Sequence, residues 1–150
     1  MSARPVTPLL DWLLCAAAIV PFAGAAVAAV WGPTVWRPAA EIALVGYATA
    51  VLGFIGGHRW GNEVSSCGNA FLMGAATLPA LAAWAALMLI LIRGEGRIGL
   101  GVLLAAFAVS WVWDVLSPQL PGWYKPMRTL MTVGAMASVG LVFWATTRGG

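Results

Sequence analysis

Residues 12–31 read "WLLCAAAIVPFAGAAVAAVW", an apolar run with a tryptophan at each end and no charged side chain between. Nineteen steps at about 1.5 Å rise separate the two indoles by roughly the thickness of a bilayer's hydrocarbon core. Tryptophan favours the level where headgroups meet acyl chains, so the pair brackets a membrane span. Composition extends that reading to the whole chain. Of 150 residues, 61% are hydrophobic and 9% charged, and the mean hydropathy is +0.89. A water-soluble domain carries about a quarter charged residues, so most of this surface is built to face something other than water. The pI near 9.4 comes from eight scattered Lys and Arg. They form no basic patch with interleaved aromatics, and no nucleic-acid partner is expected.

Four more stretches are long enough to cross at about 20 residues each. The expected spans cover about 13–30, 41–57, 70–92, 98–116 and 129–146. The predicted fold is all-α, an integral membrane bundle of five transmembrane helices with short loops in one domain, 1–150. "GPTVWRPAA" joins the first two spans, with Pro33 and Pro38 stopping and restarting helix. "RGEGR" at 93–97 is a tight charged turn, and "SPQLPGWYKPM" is an irregular interfacial loop with three prolines. Pro21 and Pro79 should kink the first and third spans or be compensated locally. Trp84 falls away from the span ends, which places it inside the bundle or against lipid. The first span resembles a secretion signal at Arg4 and at Ala-Gly-Ala 23–25, yet Asp11 and the continuation to Trp31 predict that it is retained. An odd number of spans puts the two ends of the chain on opposite sides. Lys and Arg divide evenly between them: Arg4, Arg59, Lys125 and Arg128 against Arg37, Arg93, Arg97 and Arg148.

The second span ends in "LGFIGGHRWGNEVSSCGNA", residues 52–70. Gly46, Ala50, Gly53, Gly57 and Gly61 recur on one side of a helix, a smooth strip that lets another backbone approach. The strip packs either on a neighbouring span or on a partner chain or second copy. His58 is the sole histidine. A zinc site takes about four ligands and a bis-histidine haem takes two histidines, so neither a metal nor another cofactor is expected. His58 reads as an interfacial hydrogen-bonding residue, with a proton carrier as the alternative. Cys15 and Cys67 belong to no CxxC motif and read as small packing residues, a disulfide being the alternative.

"YATAVLGFIGGHRWG" (47–61) resembles the hallmark of the transmembrane protein 69-like family, the domain of unknown function 3429: a Tyr, an apolar Ser-Phe-Leu-Gly-Gly run, then Trp-Gly. "LPGWYKPMRTLMT" (120–132) is similar to that family's segment before its last span, and "IVPF" (19–22) to its first-span Pro-Phe. Gly53, Lys125 and Met127 depart from the family's usual Ser, Arg and Leu. The resemblance covers essentially the whole chain. It implies a five-span layout and residence in a bacterial inner membrane, with mitochondria as the eukaryotic counterpart. It brings no chemistry.

Both blocks fall at one end of the bundle. His58, Arg59 and Trp60 end span two, Asp114 ends span four, Glu63 lies in the adjoining loop, and Trp123, Tyr124, Lys125 and Arg128 lead into span five. A charge at the hydrocarbon edge needs a partner. Two acids, Glu63 and Asp114, against two bases, Arg59 and Arg128, therefore predict an interfacial cap. Its role is either a clamp on the bundle or a site for an anionic lipid, since an arginine fork fits carboxylate and phosphate alike. The centres of the spans carry no Lys, Arg, Asp, Glu or His, which argues against ion-coupled transport. No Gly-x-Ser-x-Gly, His-Glu-x-x-His or phosphate loop occurs, and catalysis is not expected. The expected role is a non-catalytic accessory, assembly or lipid-contacting component of a larger membrane complex. A small passive transporter or channel is the alternative, and a quinone- or haem-associated redox subunit the third reading.

Overall fold

The computed structural model describes residues 8–66, 68–117 and 124–148. Six helices follow one another: α1 (Pro8–Trp31), α2 (Arg37–Ser65), α3 (Ala70–Ala76), α4 (Leu78–Arg93), α5 (Gly96–Leu116) and α6 (Tyr124–Arg148). They make five apolar spans long enough to cross a membrane, with α3 and α4 sharing the third. The fold is the expected all-α membrane bundle, and the described residues contain no strand.

Local chemistry explains the punctuation. Pro38 stands in the first turn of α2, where a missing N–H costs nothing, and Arg37 Nε donates to Gly32 O at 3.0 Å across the preceding turn. Gly94 ends α4 at φ 68°, a left-handed conformation that a residue without Cβ adopts freely. Its N–H and that of Glu95 donate back to Ile90 O and Leu89 O, tying off the last turn of α4. The third span breaks at Thr77, two residues before Pro79, whose ring cannot continue the ladder of α3. Asn69 caps α3 by accepting from Phe71 N at 2.8 Å. Pro21, in contrast, leaves α1 unbroken. The Tyr47 hydroxyl donates to the neighbouring Ala18 O at 3.0 Å and supports that stretch from α2.

Helix ends overrun the hydropathy reading: α1 starts at Pro8 and α2 at Arg37, ahead of the expected 13 and 41, and two further ends bear on the site. α2 runs on to Ser65 and α6 starts at Tyr124, where spans ending at 57 and starting at 129 were expected. Hydropathy falls where the chain leaves the hydrocarbon, but the hydrogen-bond ladder continues into the headgroup layer. At 29 residues, α2 is about 43 Å long, against about 30 Å of hydrocarbon. Glu63 consequently sits on a helix and not in a loop.

The helices close into a ring: α1 packs on α2 and α6, α4 on α2 and α5, and α5 on α6. Its centre is filled by Phe107, Leu44, Leu52, Leu100, Leu103 and Val139, all fully buried. Phe22 meets Tyr47 edge-on at 4.8 Å and Phe107 at 5.9 Å, so an aromatic cluster ties α1, α2 and α5 together. Trp84 faces outward.

The glycine strip needs correction as an internal packing seam. Nothing lies within 4 Å of a Cβ built on Gly46, Gly53, Gly57 or Gly61, and Ala50 is exposed. The strip lies on the outside because Leu44, Val45, Ala48, Leu52 and Ile55 claim the opposite face of α2 for the core. The close approach occurs at Gly56, where a Cβ would sit 2.6 Å from Ala76 O at the broken end of α3. Cys67 lies outside the described residues, and with it the disulfide alternative.

Candidate functional site: a buried arginine–aspartate–arginine clamp

Three helix ends meet at one face of the bundle. α5 delivers Asp114 in its last turn, α2 delivers Arg59 about two turns before its end, and α6 delivers Arg128 at the start of its second turn. Arg59 Nη2 donates to Asp114 Oδ1. Arg128 Nε donates to Asp114 Oδ2 at 2.5 Å. The carboxylate is thus held at both oxygens, by α2 on one and α6 on the other. Asp114 is 4% exposed and Arg128 3%, which makes this a desolvated charge cluster. Burying an ion pair gains little net stability. Removing one member, however, strands a charge in a medium that cannot solvate it.

Neighbouring groups brace the clamp. The Arg59 guanidinium lies over the Trp113 ring, 4.2 Å from its centroid, a cation–π contact strengthened by the exclusion of water. Lys125 Nζ donates to Val115 O at 2.9 Å, and Ser117 Oγ to Trp113 O at 2.7 Å. Lys125 thereby satisfies a carbonyl that the end of α5 leaves open, whereas Trp113 O also accepts from Ser117 N at 3.0 Å. Three cations beside that end also complement the negative pole of the helix. Trp111 Nε1 donates to Thr129 Oγ1 at 3.0 Å, a second side-chain bond between α5 and α6. The rings of His58 and Tyr124 lie 5.9 Å apart at a 31° tilt. Arg59 Nε and Arg128 Nη2 are buried without a hydrogen-bond partner.

Arg59, Asp114, Arg128, Lys125, Tyr124 and His58 therefore gather as the spacing predicted. Glu63 does not join them: among the described residues it forms no ion pair. It lines a small mixed cleft of about 30 Å³ beside the clamp, together with Arg59, Asn62, Leu72, Ala76, Trp113, Asp114 and Ser117. The expected two-by-two network is a one-acid, two-base clamp with a spare carboxylate alongside. Trp60 is exposed, and Trp123 lies outside the described residues. Sequence reading did not include Trp113 or Ser110 among the site residues. The signal was present, since Trp113 adjoins Asp114 and Ser110 sits one turn before it in an otherwise apolar span. Among the described residues, no three His, Cys, Asp or Glu cluster in a way that could hold a metal ion.

An all-helical, five-span bundle whose buried charges sit at one membrane face defines a multi-pass membrane protein. Comparison with known proteins agrees. Residues 7–144 match the family described as protein of unknown function (DUF3429), and the chain belongs to that family. It is 30% identical over 109 residues to transmembrane protein 69 of Xenopus tropicalis, covering 69% of this chain. The chain spans 42% of the length of that relative. No solved structure matches.

Proposed function

We propose that this protein is a non-catalytic accessory component of a bacterial inner membrane, a small bundle that docks on a larger membrane complex through the outer face of α2. The observation that carries this reading is the open glycine strip, with space at the Cβ positions of Gly46, Gly53, Gly57 and Gly61. Between membrane helices there is no hydrophobic driving force, and association depends on backbones coming close along small residues. A smooth strip left uncovered by the chain's own helices suits a helix from another chain. The cap supports the non-catalytic part of the reading, because its central groups are engaged: Asp114 accepts from both arginines, and Lys125 donates to Val115 O at the end of α5. Membrane lipids are the second class of partner, since the cap lies at headgroup level.

The test is purification from the native membrane in mild detergent, comparing wild type with Gly57→Leu. A partner that accompanies wild type and is lost from the variant, at unchanged melting temperature, supports docking through α2. Equal recovery from both proteins, or a wild type that purifies alone as a monomer, ends the reading.

A further inference from the structure

Ser110 differs from the other buried hydroxyls of the described residues. Thr132 donates to Arg128 O and Ser138 to Gly134 O, each four residues back in its own helix. Ser110 is 1% exposed and its Oγ has no partner. It forms part of an apolar groove of about 300 Å³ between α4 and α5, walled by Leu78 and Ala82 on one side and by Val102, Ala105 and Val109 on the other. Trp113 closes the upper end, and the same residue is a wall of the cleft that holds Arg59 and Glu63. Groove and cleft thus adjoin across Trp113, the groove along the apolar middle of α5 and the cleft at its end.

Charge at the cleft is split. Arg59 and Arg128 around a single Asp114 leave one surplus positive charge, and Arg59 Nε lacks an acceptor. Glu63, in the same cleft, has no ion-pair partner among the described residues and supplies one negative charge. A headgroup with one phosphate and one ammonium answers both. A purely anionic headgroup leaves Glu63 opposed, and a quaternary ammonium has no N–H to give it. Depth agrees as well. Ser110 lies four residues before Asp114, about 6 Å deeper along the helix, as the esters of a glycerophospholipid lie deeper than its phosphate. We propose that groove and cleft together bind one ethanolamine phospholipid, with an acyl chain between α4 and α5, an ester oxygen at the Ser110 hydroxyl, the phosphate at Arg59 and the ammonium at Glu63. The site rests on the reading that lipids are partners of the cap, and it gives that contact a place and a headgroup.

The experiment uses the full chain, delipidated in mild detergent and titrated with phosphatidylethanolamine, phosphatidylcholine or phosphatidylglycerol of identical acyl chains, with bound lipid counted by native mass spectrometry. The first ethanolamine lipid should bind about tenfold more tightly than the other two, the effect of one charge-assisted hydrogen bond. Glu63→Gln should bring it down to the choline level, and Ser110→Ala should weaken all three alike. Ala105→Phe, at an exposed position on the groove wall, should remove the tight first lipid for every headgroup without lowering the melting temperature. Equal affinity for the three headgroups, which means annular lipid only, overturns the site. So does an ethanolamine preference that survives Glu63→Gln, or a tight first lipid that survives Ala105→Phe. None of these outcomes bears on partner docking through Gly57, so the two readings fail separately.

Discussion

The two faces of α2 are made of similar residues and behave in opposite ways. Inward lie Leu44, Val45, Ala48, Leu52, Ile55 and Gly56, all buried, and then Arg59 on the clamp. Outward, centred about 160° around the helix at 3.6 residues per turn, lie Gly46, Ala50, Gly53, Gly57 and Gly61. Gly56 and Gly57 are adjacent, yet a Cβ on the first collides with Ala76 O and one on the second meets nothing. Small residues at helical spacing mark a smooth surface. The bulky residues between them decide which way it faces.

Substitutions on the two faces should separate accordingly, and the largest effect belongs to the clamp. Asp114→Ala strands two buried guanidiniums and should cost about 3–5 kcal/mol, read as a large fall in melting temperature in detergent. A loss below about 1 kcal/mol would mean that the inward face is held by packing alone. Arg128→Gln should come next and exceed Arg59→Gln, because Arg128 is 3% exposed in its side chain and Arg59 10%. Each should be strongly non-additive with Asp114→Asn in a double-mutant cycle. Gly56→Leu drives a side chain against backbone that has no rotamer to yield, and should cost about 1–3 kcal/mol. Gly57→Leu should stay within about 0.5 kcal/mol. Equal losses at Gly56 and Gly57 would erase the distinction between the faces.

Much of the architecture was legible before any coordinates. Tryptophans at both ends of an apolar run reported span one, Gly94 reported the turn after the third span, and Pro79 reported its break. These signals are local, and the physics behind them acts within a few residues. The clamp was half legible. Arg59, Asp114 and Arg128 could be placed at one face by counting spans, but which acid takes which base depends on three-dimensional reach. Glu63 lost its expected partner because α2 stays helical and carries it past the meeting point of α5 and α6. The direction of the glycine strip was not legible at all, since its spacing is the same whether it meets a neighbouring span, another chain or lipid. Ser110 went unnoticed for a similar reason: a serine in a span usually bonds to its own helix, and only the fold shows that this one does not.

The contact between α1 and α6 bears on how the molecule is made. Of the described helices α6 follows the other five along the chain, so the ring stays open until α6 emerges from the ribosome. During that interval Ile19 has lipid where it will later have Gly134 of α6. Asp114 is already at the membrane edge with Arg59, holding one free carboxylate oxygen. Arg128 then arrives near the start of α6, a cation that would be expensive to bring to that depth alone, and finds its counter-ion waiting. The order of the elements along the chain thus eases the insertion of α6, and closing the ring and neutralising its charge become a single event.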